Sequence, residues 1–200
     1  MPFFKSTLLV LALPVSAAMA QSAPDGNDHS ALREPVLNVL EQQFGALVAA
    51  TQTMEDTARL YCAADAGQKA GATTGTTTGT TEGTTTDTMT DAPTEADLMA
   101  AVSTTWQAWA ALDAYQFGPI EQRGAALTID FWPDKKGFVG RGLKSLLARP
   151  AAEQADPAVV AAGSAAAQGL PALEMLLTSD LPDCPAVVGI SANLETLSQQ

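Results

Sequence analysis

Histidine is almost missing from this sequence: His29 is the only one in 200 residues. It lies in a polar stretch near the N-terminus, "QSAPDGNDH", so a Ser-His-Asp or Cys-His arrangement has no base to work with. An HExxH zinc motif and a glycine-rich phosphate loop are also absent. Basic residues are scarce, 10 Lys+Arg against 22 Asp+Glu, for a net charge of −12. That balance argues against nucleic acid or an anionic membrane as partner and leaves room for cations, although a solvated acidic surface accounts for most of it. Strand-type alternation is lacking too, and past the first twenty residues no stretch approaches the length of a membrane span.

Cysteine is limited to Cys62 and Cys184. In an exported protein an even count favours a disulfide, which would tie the first helix to the last third of the chain. Two free thiols or a metal pair are the alternatives.

The opening "MPFFKSTLLVLALPVSAAMA" has one lysine, an apolar run from Leu8 to Val15 and small residues ending in Ala18-Met19-Ala20. That is the layout of a secretory signal peptide over 1–20, with cleavage after Ala20 and a periplasmic product. Residues 21–29 read as a flexible leader and 30–200 as one domain, large enough for a core.

From Ser30 the pattern turns helical. Leu37, Leu40, Phe44, Leu47, Val48, Thr51, Met54, Ala58 and Tyr61 step by three or four, which predicts one amphipathic helix to about Ala66, with Pro35 near its first turn. Over 70–94 threonine and glycine take over ("GATTGTTTGTTEGTTTDTMTDAPT" from Gly71), and with almost nothing apolar to bury this insertion is expected to be a disordered loop. Thr94-Glu95-Ala96-Asp97 resembles a capping box, and Leu98, Val102, Trp106, Trp109 and Leu112 mark a second helix to about Gln116. Trp106 and Trp109 share a face and read as core.

Residues 117–141 contain Gly118-Pro119, Trp132-Pro133 and Gly137, which predicts an aromatic-bearing loop followed by a short helix from Arg141 to Ala148. Asp156-Pro157 supplies an N-cap and a first-turn proline for a helix through "AVVAAGSAAAQGLPALEMLL". A last helix starts near Pro185 and is still running at Gln200, a pattern that suggests a continuation. The expected fold is all-α, a bundle of four or five helices.

Two groups of side chains are candidates for chemistry. Arg123, Lys135, Lys136, Arg141, Lys144 and Arg149 face only Glu121, Asp130 and Asp134 between residues 121 and 149. They form either an anion- or partner-docking surface or a solvated loop balanced by acids elsewhere. Asp113 and Tyr115 are polar partners with no spacing that singles them out. The second candidate is Glu174 in "QGLPALEMLL", three residues after Pro171.

Taken together, "LYCAA", "TWQAWAALDAYQFGP", "FGPIEQRG", "FWPDKKGFVGR", "AAAQGLPALEMLLT" and "ISANLETL" resemble the imelysin-like family of exported bacterial helical proteins, over most of residues 30–200. The resemblance implies a two-bundle helical fold in a chain nearly twice this long, of which the first bundle is represented here. It also implies a link to iron regulation and uptake in the cell envelope, and a peptidase assignment in the family name. Many members carry Gly-x-His-x-x-Glu, whose His and Glu are proposed to bind metal. In this sequence Gly169 and Glu174 match that motif, and Pro171 occupies the histidine position. Proline has no ligating atom, and one carboxylate is not a site, because transition-metal and calcium sites take about four or more ligands.

Glu174 is therefore expected either to complement the N-terminus of a helix restarted at Pro171, to pair with a basic residue of the loop, or to survive as a ligand for iron or another divalent metal. The leading expectation for function is a non-enzymatic binding or accessory module in metal acquisition. The alternatives are a structural or partner-binding envelope module with a degenerate metal site and, last, a metallopeptidase.

Overall fold

The computed structural model describes residues 30–72, 92–115, 121, 124–179 and 183–199. The expected signal peptide, the leader with His29, most of the threonine-rich insertion, Gly118-Pro119 and Arg123 lie outside the described residues.

Every regular element among the described residues is helical: α1 (Ser30–Ala72), α2 (Glu95–Ala110), α3 (Ala125–Ile129), α4 (Phe138–Leu147), α5 (Ala151–Gln154), α6 (Pro157–Ala161), α7 (Leu170–Leu177) and α8 (Cys184–Ser198). A short 3-10 turn spans Ala165–Ala167. The all-α expectation holds; the eight helices among the described residues exceed the four or five expected, and five of them have eight residues or more.

The long helix α1 forms the spine and packs chiefly against α8 and α2. Its register against α8 is fixed at two points. The Cys62–Cys184 disulfide, with a Cα separation of 5.5 Å, joins the start of α8 to α1. At the other end of α8, Ser198 and Thr51 share a hydroxyl–hydroxyl hydrogen bond of 2.8 Å. As α8 advances from 184 to 198 its partner on α1 falls from 62 to 51, so the two helices run antiparallel. Both cysteines are consumed in this link, which leaves no free thiol among the described residues.

Between these helices lies a core of Leu47, Met54, Leu98, Val102, Trp109, Leu170, Leu173, Ile190 and Leu194. Fully burying each large apolar side chain contributes about 1.5–3 kcal/mol. The capping box at Thr94 forms as the sequence predicts: its Oγ1 accepts from the Asp97 backbone N–H, and the Asp97 carboxylate accepts from the Thr94 backbone. Asp156 likewise caps α6, accepting from the Ala158 N–H at 2.9 Å.

The chain from Pro157 to Leu177, expected as one helix, is divided into α6, the 3-10 turn and α7. Two contacts explain the division. Gln168 reaches back with Nε2 to donate to the carbonyls of Ala161 and Gly163, both at 3.1 Å, which holds the reversal after α6. Gly169 then lies directly against the carbonyls of Thr128 and Ile129, where a Cβ would collide with backbone. Alanine richness favours a helix, but this close crossing of two backbones overrides it. Similarly, α2 ends at Ala110 in a turn rather than running on to 116, and α4 begins at Phe138, three residues earlier than expected.

Candidate functional site

The segment that carries Glu174 opens at Gly169, whose extended backbone forms the N-cap of α7. The Gly169 carbonyl accepts from the N–H groups of Ala172 and Leu173, each at 3.2 Å. Pro171 follows at the second helical position, where a backbone N–H has no intrahelical acceptor, so the missing donor costs nothing. Leu170, Ala172, Leu173, Leu176 and Leu177 turn into the core. Glu174 is left on the exposed face, one turn into the helix. Its backbone carbonyl accepts from both the N–H and the hydroxyl of Thr178, at 3.0 and 2.9 Å. No ion pair joins the Glu174 carboxylate to a described basic side chain.

Helix α7 also bears on α4. Met175 is the first atom a Cβ on Gly140 would meet, at 3.8 Å, so the Glu174 helix and the basic segment are neighbours. That segment is tightly organised. Asp134 accepts from the N–H of Phe138 at 2.7 Å and of Val139 at 3.0 Å, closing the N-terminus of α4. Slight burial works against ionisation of Asp134, but those two N–H groups, that of Lys136 and the Arg141 charge outweigh it and hold its pKa below the usual value. Arg141 lies over the Phe138 ring at 4.5 Å from its centroid, and Phe138 meets Phe131 edge to face. Lys135, Lys136 and Lys144 are exposed, and Arg149 pairs with Glu153 at 3.3 Å. Trp132, joined to Pro133 by a cis peptide, stands 76% exposed.

A third polar group joins α2 to the turn after α3. Trp109 is buried to 2% exposure, as its helical spacing predicts, and Trp106 is partly buried against the same core. The Trp109 indole faces the Asp130 carboxyl without reaching full hydrogen-bond geometry. Burial therefore dominates and raises the Asp130 pKa, the indole opposes it, and the Asp113 charge adds to the rise. Asp130 entered the sequence reading only as one acid among the loop's charges. Its pairing with Trp109 depends on a tertiary contact that spacing does not carry.

The motif position does not fit a resident metal. Pro171 brings no donor, Glu174 points outward, and among the described residues no group of three or more His, Cys, Asp or Glu side chains could hold an ion. A small cleft of about 30 Å³ between α4 and the α6 region is lined by Gly142, Ser145, Arg149, Val160, Gly163 and Ser164.

The described residues form a disulfide-stapled, all-helical bundle. The chain belongs to the imelysin family: residues 72–196, more than half its length, match the family described as Imelysin, Peptidase_M75. No curated protein and no solved structure matches the chain. No described helix is long and apolar enough to cross a membrane, and a disulfide suits an oxidising compartment.

Proposed function

We propose that this chain is an exported, non-enzymatic imelysin-family module that serves iron or other metal acquisition as an accessory. In this reading residues 1–20 are removed as a signal peptide, 21–29 are a leader, 70–94 are an insertion and the product is periplasmic. The observation that carries the accessory role is Pro171 beside an outward-facing Glu174: at the family's motif position this chain offers at most one ligand to a cation. Any metal it handles would draw its remaining ligands from a partner.

Isothermal titration of the protein with iron(II), iron(III) and zinc tests this. The expected result is binding no tighter than that of an exposed carboxylate, with little change on Glu174→Ala. Saturable tight binding lost in Glu174→Ala would make the chain a metal carrier in its own right. Chelator-sensitive cleavage of casein would overturn the non-enzymatic reading.

A second reading, a partner-binding envelope module, is favoured by the first third of α1. The stripe that is buried at Leu47, Met54 and Ala58 continues upward through Phe44, Leu40, Val36 and Leu32 at the same spacing. Along this stretch, however, Leu32 is 63% exposed, and Val36, Leu37 and Val39 are exposed as well.

A further inference from the structure

We propose that the surface formed by Trp132, Lys135, Lys136, Phe138, Arg141 and Lys144 docks on an anionic lipid bilayer, with Trp132 as its interfacial anchor. The proposal is independent of the metal-acquisition reading.

Trp132 is the most exposed of the large hydrophobic residues described. Its exposure belongs to an ordered loop. The Trp132 N–H donates to the Asp130 carbonyl at 2.9 Å, Lys135 donates to the Pro133 carbonyl at 3.1 Å, and Asp134 ties the loop to α4. Beside it Phe138 is 43% exposed, with the Arg141 guanidinium stacked on its ring. One turn further along the same face of α4 comes Lys144, also exposed.

The charge facing outward here is positive. Lys135, Lys136, Arg141 and Lys144 outnumber the carboxylates near them: Asp134 keeps its negative charge while accepting from two backbone N–H groups, Asp130 is half-buried against Trp109, and Glu174 stands exposed on the neighbouring α7. The net charge of −12 does not decide the matter, because at physiological salt charges beyond about 8–10 Å are largely screened from an approaching surface. A projecting indole matches the headgroup level of a bilayer, where its apolar body and polar N–H are both accommodated. Each exposed Lys or Arg near an anionic leaflet strengthens partition by about fivefold.

The test is co-sedimentation of the full chain with vesicles of phosphatidylcholine alone or with one-third phosphatidylglycerol, at low and raised salt. The apolar run Leu8–Val15 partitions into any bilayer and Lys5 with the N-terminus adds an anionic preference of its own, so the readout is the part of the anionic preference lost in the variants below. That preference is expected in the unaltered protein, weakening as salt rises. In Lys135→Gln/Lys136→Gln it should fall by about 10- to 30-fold. Trp132→Phe should lose the blue shift of tryptophan emission that accompanies binding. All three side chains are exposed, and an unchanged circular dichroism melt verifies the fold. No preference for anionic vesicles, an unchanged preference in the double variant, or a full emission shift in Trp132→Phe would each overturn the proposal. So would capture by polyglutamate with no vesicle binding, which would assign the surface to an acidic protein.

Discussion

Asp130 and Asp134, four residues apart, respond to acid in opposite directions. Asp134 is held below its ordinary pKa of 3.8, so its contribution is present above that value and is lost as pH falls through the lowered one. Asp130 is raised by burial, so the folded protein binds its proton more readily than the unfolded chain does. Its ionisation therefore opposes folding at neutral pH, and that opposition fades as pH falls through the raised value towards 3.8. Asp130→Asn, which keeps an oxygen facing the Trp109 indole, is expected to melt no lower than the unaltered protein at neutral pH. The difference should disappear in acid, as thermal melts across that range would reveal. Burial of Trp109 was legible from its spacing, because residues three and four apart share a helical face. The environment of Asp130 was not, since it depends on the turn after α3 folding back onto α2.

Among the elements, helix existence and the capped starts of α2 and α6 were largely written in the sequence, and most other helix ends were not. The Thr94 capping box, the Asp156 cap with Pro157 and the long stripe of α1 carry local signals that the structure honours. The breaks between α6 and α7 come from backbones that approach across the bundle. Nothing in "AVVAAGSAAAQGL" announces which carbonyl will press on Gly169. Gly189 makes the corresponding contact for α8: a Cβ there would strike the Gln154 carbonyl at the end of α5. Gly189→Ala should destabilise the fold by about 1–3 kcal/mol, although alanine is the better helix former. Urea titration would show a lower midpoint at unchanged slope. An unaltered midpoint would mean that α5 yields without cost.

For the whole molecule, the Cys62–Cys184 link between the first helix and the last third of the chain was legible from compartment and parity, while the antiparallel register of α1 and α8 that it fixes was not. It closes a loop of 122 residues, for which the chain-entropy model assigns roughly 4–5 kcal/mol. Cys62→Ser/Cys184→Ser should lower the melting temperature, and reductant should do the same to the unaltered protein but not to the variant. The site was less legible than the fold. Glu174 and Pro171 stand in the sequence in plain order, but the outward direction of Glu174 follows from the five apolar neighbours that claim the inner side of α7.

The staple has a further consequence for covalent integrity. Cys62 lies before the threonine-rich stretch and Cys184 after it. A protein carrying an engineered protease site between Ala72 and Ala92 would, once cut, migrate as a single species on a non-reducing gel and separate into two bands only with a thiol. The two strands of such a nicked molecule would part no sooner than their sulfurs do.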